Sequence, residues 1–351
     1  MVQLTLSLLF ISVMFFAALV PALVVWLPAL GVWPSYYMRP LRQIATVLSL
    51  PAGLLMFILW PNMLGLVTLI LIAFGALLPV ALRPWNVIRA LDKTEHHQAA
   101  DLPANSEVLA ASINDQAIAW PVRLVIARHI INDTLVLSGG DSLPLLAIWC
   151  AACDAGLVYQ REIDGQTLSF EVMGMYRRNM IIRDRETGSI WQQATGECLM
   201  GHYIGRQLEP VGGERLPWAA WQQRHPDTLL ALEAADARRS LVSNDLMVKM
   251  FSGTQHFATP GTYRGPEKLP LHESVIGLAT QGAARAYPLR LLEEHRDIED
   301  SVGTTLVHLT YDPDSQAIHV VDRKTGQPLR WERHWWLGWS EFYPHTTVYR
   351  A

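Results

Sequence analysis

The first 82 residues carry only two charged side chains, Arg39 and Arg42. A bilayer core of about 30 Å is crossed by about 20 apolar helical residues, so this stretch constrains the fold more than any other feature. Apolar runs at about 4–30, 44–60 and 64–82 predict an all-α transmembrane segment, residues 1–93, of about three helices. The alternative is two spans and a buried helix, because Pro51 interrupts the short second run.

Basic residues near the ends of these runs predict the orientation. Arg39 and Arg42 follow the first run, and Arg83, Arg89 and Lys93 follow the third. Three spans place both groups on one side, which the positive-inside rule assigns to the cytoplasm. The sequence thus predicts a multi-pass protein of the bacterial inner membrane, with the lipid bilayer as its partner. Its soluble region would be cytoplasmic, and the periplasmic side remains the alternative.

The remaining residues predict a β-rich soluble region. A net charge of −4 provides no basic footprint for nucleic acid, so no nucleic-acid partner is expected. Three cysteines always leave one unpaired, which excludes a disulfide framework. Residues 94–106 are polar and predict a linker. Beyond them, short apolar runs separated by Gly, Asp and Asn predict strands, with a hairpin turn at Asp164 and Gly165.

An internal repeat predicts two related lobes. Residues 119–124, Ala-Trp-Pro-Val-Arg-Leu, match residues 286–291, Ala-Tyr-Pro-Leu-Arg-Leu. The predicted fold class is α+β, mainly β in the soluble region, preceded by the all-α transmembrane segment. The first β-rich lobe would span 107–215 and the second, degenerate lobe 271–351. Residues 216–270 would form a helical connector.

Several motifs resemble one family over about residues 107–351. They are Trp-Cys-Ala-Ala-Cys-Asp-Ala-Gly at 149–156, the stretch 183–197 with its Asp-Arg-Glu-Thr-Gly-Ser core, and His-Pro-Asp-Thr at 225–228. Together they are similar to the domain of unknown function numbered 3179. The resemblance implies a fold unit without an assigned activity, in proteins that are often exported. Family members usually have Cys-Pro-Leu-Cys or Cys-Pro-Leu-Thr where this chain has Cys-Ala-Ala-Cys.

The main candidates for chemistry are Cys150 and Cys153. In a Cys-x-x-Cys pair one thiolate attacks a disulfide and the second thiol resolves the mixed disulfide. The second copy of the repeat has Asp312 and Ser315 at the matching positions, so the first lobe is expected to hold the site. Strand and turn signals after the motif argue against a thioredoxin fold. Buried structural cysteines are the alternative.

A soft-metal site is a second hypothesis. On a strand, Cys198, Met200 and His202 would face the same side, because alternate residues share a face. With Cys150 and Cys153 they would form a thiolate, thioether and imidazole set suited to copper or zinc.

Two further functions remain open. His129 with Asp133, and Glu197 with Asp184, could supply the acid–base pairs of a hydrolase-like site. A non-catalytic binding module would instead use the aromatic C-terminal segment, whose tryptophans are Trp331, Trp335, Trp336 and Trp339. The preferred prediction is a membrane-anchored protein with a thiol-centred redox or soft-metal site in its first lobe.

Overall fold

The structure is a computed structural model. It describes residues 1–81, 83–98, 102–137, 139–252, 258–280 and 282–351.

Helices dominate the N-terminal segment and are short elsewhere in the chain. Those of the N-terminal segment are α1 (Val2–Trp26), α2 (Trp33–Leu59), α3 (Met63–Ala81) and α4 (Pro84–Val87). Those of the β-rich region are α5 (Val122–Arg128), α6 (Trp218–Arg224), α7 (Asn244–Phe251), α8 (Leu289–His295) and α9 (Trp336–Phe342).

The helices predicted for the N-terminal segment are present and pack against one another. Thr68 of α3 donates a hydrogen bond to Ser7 of α1 at 2.9 Å, and both side chains are buried. Within the described residues, one helical stretch, Pro40–Leu59, is long and apolar enough to cross a bilayer. Val2–Ala17 and Met63–Leu77 are apolar but shorter. By this criterion one membrane-crossing helix is supported, and the expected multi-pass arrangement is not.

The strands of the first lobe run from residue 94 to residue 233. They are β1 (Thr94–His97), β2 (Glu107–Ile113), β3 (Gln116–Pro121), β4 (Ile130–Val136), β5 (Ser142–Cys150), β6 (Ala155–Gln160), β7 (Glu162–Ile163), β8 (Gln166–Thr167), β9 (Phe170–Tyr176), β10 (Asn179–Asp184), β11 (Ile190–Gln192), β12 (Cys198–Met200), β13 (Pro210–Gly212), β14 (Glu214–Pro217) and β15 (Leu229–Glu233).

The strands of the second lobe begin at residue 274. They are β16 (Ser274–Thr280), β17 (Ala283–Pro288), β18 (Asp297–Val302), β19 (Thr305–Tyr311), β20 (Ile318–Asp322), β21 (Glu332–Trp335) and β22 (Thr347–Val348). The protein is therefore a mixed α/β structure with a β-rich region after its N-terminal helices.

The repeat predicted from the sequence is visible in the strand order. One sheet of the first lobe has the order β15-β3-β2-β14, extended by β1, and a sheet of the second lobe has the order β22-β17-β16-β21. In both, the last strand of the segment pairs in parallel with the second strand of the hairpin. Trp221 donates to Thr228 at 2.8 Å in the first copy, and Trp339 donates to Thr346 at 2.9 Å in the second.

This correspondence corrects the predicted domain boundaries. The segment 216–270 is not simply a helical connector, since its strand β15 completes the first lobe's sheet by pairing with β3 and β1. The segment 94–106 is not only a linker, because it contains β1. Both errors have one cause: β1 and β15 receive their hydrogen-bond partners from distant parts of the chain, which local pattern does not reveal.

The first lobe also contains the sheet β12-β11-β10-β9, which has two covered faces. Met180 and Ile182 on one face join the core that contains Cys150 and Cys153. Ile181 and Ile190 on the other face pack with side chains of the N-terminal segment, among them Val32, Tyr36 and Trp85. This sheet therefore connects the helical segment with the cysteine motif.

Helix α9 of the second lobe packs directly on the cysteine motif. Leu337 belongs to the same core as both cysteines, and the Trp335 backbone N–H donates to the Cys153 carbonyl at 2.8 Å. Trp336 and Trp339 are buried in a core of the second lobe. The predicted aromatic platform is thus in large part interior packing.

We predict that Gly338→Ala destabilises the fold by about 1–3 kcal/mol, through overpacking at this contact. A Cβ atom at Gly338 would lie 2.5 Å from Cys153 Cβ, an atom held close to the backbone. Unfolding of the purified protein in urea would measure the effect. Gly139→Ala is the matched control, since a Cβ atom there meets nothing within 4 Å. Equal stability of the two variants would contradict the close contact between the lobes.

Candidate functional site

The cysteine pair lies in a tight turn between two strands. Cys150 is the last residue of β5, and Cys153 lies in the turn before β6. The side chains are 1% and 0% exposed, and both thiols are free. The following residue, Asp154, has a φ of 50°, and its carboxylate accepts a hydrogen bond from Arg215 at 2.9 Å. The expected strand–turn–strand setting, in place of the helix of thioredoxin-like motifs, is confirmed.

Buried side-chain amides surround Cys153. The Asn179 amide nitrogen donates to Cys153 Sγ at 3.1 Å and to the Gln193 side-chain oxygen at 2.7 Å. Gln192 donates to the Asn179 side-chain oxygen at 2.6 Å, and Gln193 donates to the Ala155 carbonyl at 3.2 Å. Each amide is therefore oriented by another buried group, which fixes the nitrogen that faces the sulfur.

The two thiols have pKa values shifted in opposite directions. Burial acts to raise the pKa of Cys150, but hydrogen bonds from the Cys153 thiol and from the backbone N–H groups of Met180, Cys153 and Ala152 outweigh it, so the pKa is lowered. Burial and the neighbouring Cys150 raise the pKa of Cys153 well above its usual value, and the Asn179 hydrogen bond opposes this only in part. Cys150 is therefore the better thiolate of the pair.

An apolar cavity of about 320 Å³ borders Cys150 and His129. Apolar side chains from three parts of the chain line it, including Ile88, Val172 and Phe251. Cys153 is not among the described residues that line it. Of the two cysteines, only Cys150 is thus among the described residues that line the cavity.

His129 lies in the wall of the cavity and directly follows the last residue of α5. It has a φ of 58°, is 4% exposed, and its ring lies 4.4 Å from that of Phe251. Its Nδ1 has no hydrogen-bond partner among the described residues. Burial lowers the pKa of His129 to about 4, against the opposing effect of the Ile126 carbonyl, so the ring is neutral near pH 7.

The second lobe contributes a histidine–carboxylate pair, which lies near Cys153 at Gly338. His334 Nε2 lies 2.9 Å from a Glu332 carboxylate oxygen, and both side chains are buried. Burial acts to raise the pKa of Glu332, but the hydrogen bond with His334 holds it below its usual value. Cys153 Sγ and His334 Nδ1 lie 3.4 and 3.5 Å, respectively, from the point where a Cβ atom of Gly338 would stand.

The predicted acid–base pair of His129 and Asp133 does not form. Asp133 instead accepts hydrogen bonds from Trp120 at 2.7 Å and Thr94 at 2.5 Å, and lies 2.9 Å from His96 Nε2. No hydrogen bond joins His129 to Asp133 in the described part of the chain. The carboxylate is satisfied by other partners, so its surroundings are those of a structural group.

The predicted pairing of Glu197 with Asp184 does not form either. Glu197 is exposed, whereas Asp184 is fully buried. The Asp184 carboxylate accepts hydrogen bonds from the Thr187 backbone N–H at 2.6 Å and from Trp191 Nε1 at 2.8 Å. Asp184 therefore stabilises the turn at Thr187 and acts as a structural group.

The structure separates the predicted soft-metal ligands. A register shift opposite Ile190 and Trp191 breaks the alternation of β12, so Cys198 joins the core of Cys150 and Met200 packs in another. His202 is exposed after the strand ends. Burial raises the pKa of Cys198 to about 11, which disfavours its thiolate. Within the described ranges, no group of three or more His, Cys, Asp and Glu side chains could hold a metal ion.

Sequence reasoning missed the residues that surround Cys153. Gln192 and Gln193 lie inside the motif at 183–197, so their presence in a family signature was an available signal. Asn179 precedes that motif, and no sequence pattern around it indicates a role at the site. His334 is far from the cysteines in sequence, and only the packing of α9 brings it near them.

Comparison with known proteins gives a family and no activity. A family profile described as "Protein of unknown function (DUF3179)" matches residues 87–329. The match begins before the stretch of about 107–351 on which the resemblance rests and ends within the second lobe. Neither the curated proteins nor the solved structures contain a match.

We predict that His129 makes stability depend on pH between about 6.5 and 4. The unfolded state binds a proton in this interval and the folded state does not, because burial depresses the folded pKa to about 4. The stabilisation is fully present above pH 6.5 and is lost as pH falls, by about 3 kcal/mol in total. Urea unfolding at several pH values would give the free energy of unfolding as a function of pH. Between about pH 4 and 6.5 this free energy should change less steeply with pH for His129→Phe than for the wild type. Identical slopes would contradict the prediction.

Proposed function

We propose that this chain, which belongs to the DUF3179 family of proteins of unknown function, carries out thiol–disulfide exchange at Cys150 and Cys153. The observation that supports the proposal is the unequal setting of the two thiols. Cys150 borders a cavity and its pKa is lowered, whereas Cys153 is enclosed and its pKa is raised. An attacking thiol needs access and thiolate character, and a resolving thiol needs only proximity.

In the proposed reaction the Cys150 thiolate attacks one sulfur of a substrate disulfide, and the other substrate sulfur leaves as a thiolate. Cys153 loses its proton and attacks Cys150 Sγ, and the first substrate sulfur leaves. A Cys150–Cys153 disulfide forms, and two electrons pass to the substrate. The two protons released by the cysteines end on the two substrate sulfurs.

The surrounding side chains would assist the second step. Asn179 donates a hydrogen bond to Cys153 Sγ, which favours the thiolate that must form there. His334 Nδ1 has no hydrogen-bond partner among the described residues, and it lies within 3.5 Å of a point that is 3.4 Å from the same sulfur. With Glu332 on its other nitrogen, His334 is placed to accept the Cys153 proton.

We expect purified protein to cycle reversibly between two states that differ by two titratable thiols. Wild-type protein would be equilibrated with mixtures of oxidised and reduced glutathione, unfolded under acid quench and titrated for free thiols. Cys153→Ser should trap a mixed disulfide on Cys150, because the resolving thiol is missing. Cys150→Ser should be inert, since Cys153 is not among the described residues that line the cavity and its pKa is raised.

Cys198→Ser is the matched control for that experiment. Cys198 is buried in the same core, but its raised pKa removes it from exchange, so the variant should cycle like the wild type. Thiols that do not react in the folded protein would contradict the proposal. If the wild type binds copper or zinc stoichiometrically and Cys150→Ser does not, the soft-metal function would be favoured over thiol–disulfide exchange.

The proposal places the N-terminal segment in the bilayer. Helices α1 and α3 contain 25 and 19 residues and lie beside α2, whose stretch Pro40–Leu59 meets the length criterion. All three expose large apolar side chains, such as Leu8, Leu48 and Ile70. Burial of such side chains in lipid is favourable, whereas their exposure to water is not.

We predict that all three helices cross, so that the N-terminus and the β-rich region lie on opposite sides. Single cysteines introduced at Val2 and Ile204, both exposed, would be labelled in intact cells and in opened cells with a membrane-impermeant maleimide. A variant lacking the three natural cysteines is the background. Labelling of Ile204→Cys only in opened cells would assign the β-rich region to the cytoplasm. Labelling of both positions on the same side would contradict three crossings.

A further inference from the structure

The cavity at Cys150 is built partly by the segment that leaves the N-terminal helices. Pro84 and Ile88 line it, and they belong to α4 and the residue after it. Helix α4 begins three residues after α3 ends at Ala81. A wall of this cavity is therefore continuous in sequence with a helix assigned above to the bilayer, so the cavity lies close to the membrane surface.

The described lining of this cavity is apolar and uncharged, which does not suit a polar peptide. Its walls include Val172, Met175, Met180 and Phe251, and the described lining residues include no Lys, Arg, Asp or Glu. Its volume of about 320 Å³ lies at the lower end of the range of cavities that bind small molecules. The dimensions and the apolar walls suit a compact, lipophilic molecule.

One ring nitrogen of a residue in the wall has no hydrogen-bond partner in the part of the chain that the structure describes. His129 is more than nine-tenths buried, lines the cavity, and its Nδ1 has no hydrogen-bond partner among the described residues. Buried polar atoms in folded proteins are almost always hydrogen-bonded, so an unpartnered ring nitrogen on a residue that lines a cavity favours a ligand atom that would pair with it. Because the ring is neutral near pH 7, it can donate to a carbonyl oxygen without placing a charge in the apolar site.

We propose, on the basis of the thiol exchange proposed above, that this cavity binds the head group of a lipophilic quinone that oxidises the Cys150–Cys153 pair. A quinone has the required properties together: a flat apolar ring, two carbonyl acceptors, and solubility in the bilayer. His129 Nδ1–H donates to one carbonyl, and Cys150 lies in the same wall. Oxidation of a substrate dithiol by the Cys150–Cys153 disulfide, which is the reverse of the exchange written above, would reduce the pair, and the membrane quinone would oxidise it again, so the two reactions would be the halves of one cycle.

The reaction balances without another reactant. The Cys150 thiolate adds to the quinone, forming a carbon–sulfur bond and placing an electron pair on the ring oxygen, which takes up one proton. Cys153, losing its proton, attacks Cys150 Sγ. The carbon–sulfur bond breaks, its electron pair goes to the ring, and the second ring oxygen takes up a proton. The pair is oxidised to a disulfide, and the quinone is reduced by two electrons and two protons to the quinol.

Binding and oxidation are tested separately, with full-length protein in lipid nanodiscs and decylubiquinone as the probe. Cys150→Ser cannot react, so quenching of its tryptophan fluorescence reports binding alone. We expect saturable quenching, and an affinity about tenfold lower when His129→Phe is added, the effect of one lost hydrogen bond. Ile88→Asp, which places a charge in the wall, should abolish binding. The matched control is Ile204→Asp, an equally drastic change at an exposed position elsewhere.

Oxidation is followed on reduced wild-type protein without oxygen. We expect one decylubiquinone to be consumed and two thiols lost per chain, with no reaction in Cys150→Ser. A pair that cycles with glutathione but neither binds nor reduces decylubiquinone overturns this inference and leaves the exchange function standing. Saturable binding by a protein whose thiols are inert to both reagents overturns both, and leaves the cavity as a lipophile site.

Discussion

The packing of α9 against the cysteine turn is the contact on which the arrangement of the two lobes depends. Only a residue without a side chain fits where Gly338 meets Cys153, and the Trp335 N–H donates to the Cys153 carbonyl beside it. The ion pair of Arg177 with the fully buried Glu341 joins the lobes at the same place. The motif that carries the candidate chemistry is thus enclosed by parts of both copies of the repeat.

The sheet of β9, β10, β11 and β12 distinguishes the first copy of the repeat from the second. One of its faces supplies Asn179 and core side chains to the cysteine motif, and the other packs against the N-terminal segment. A single layer of strands therefore separates the thiols from the residues that connect α1 with α2. Because interiors are closely packed, this layer also fixes the position of the cavity relative to the N-terminal helices.

Predictions from local pattern were reliable where local forces decide the structure. The repeat at 119–124 and 286–291 is confirmed in strand order and in the tryptophan–threonine hydrogen bonds that follow. The strand–turn–strand setting of the cysteines is confirmed as well. Reasoning from spacing failed where partners come from afar: Asp133 is bound by Trp120 and Thr94 instead of His129, and a bulge in register separates Cys198 from Met200.

By itself, the sequence determined the three N-terminal helices, the duplicated β-rich region, the family and the pair Cys150–Cys153, because apolar run length, repeats and motifs are properties of neighbouring residues. The tertiary structure alone decided which thiol borders a cavity and which is enclosed. That difference depends on groups contributed by β10, α5 and α9, far apart along the chain. Thiol pKa values respond to burial and to hydrogen bonds within a few ångströms, and folding sets both.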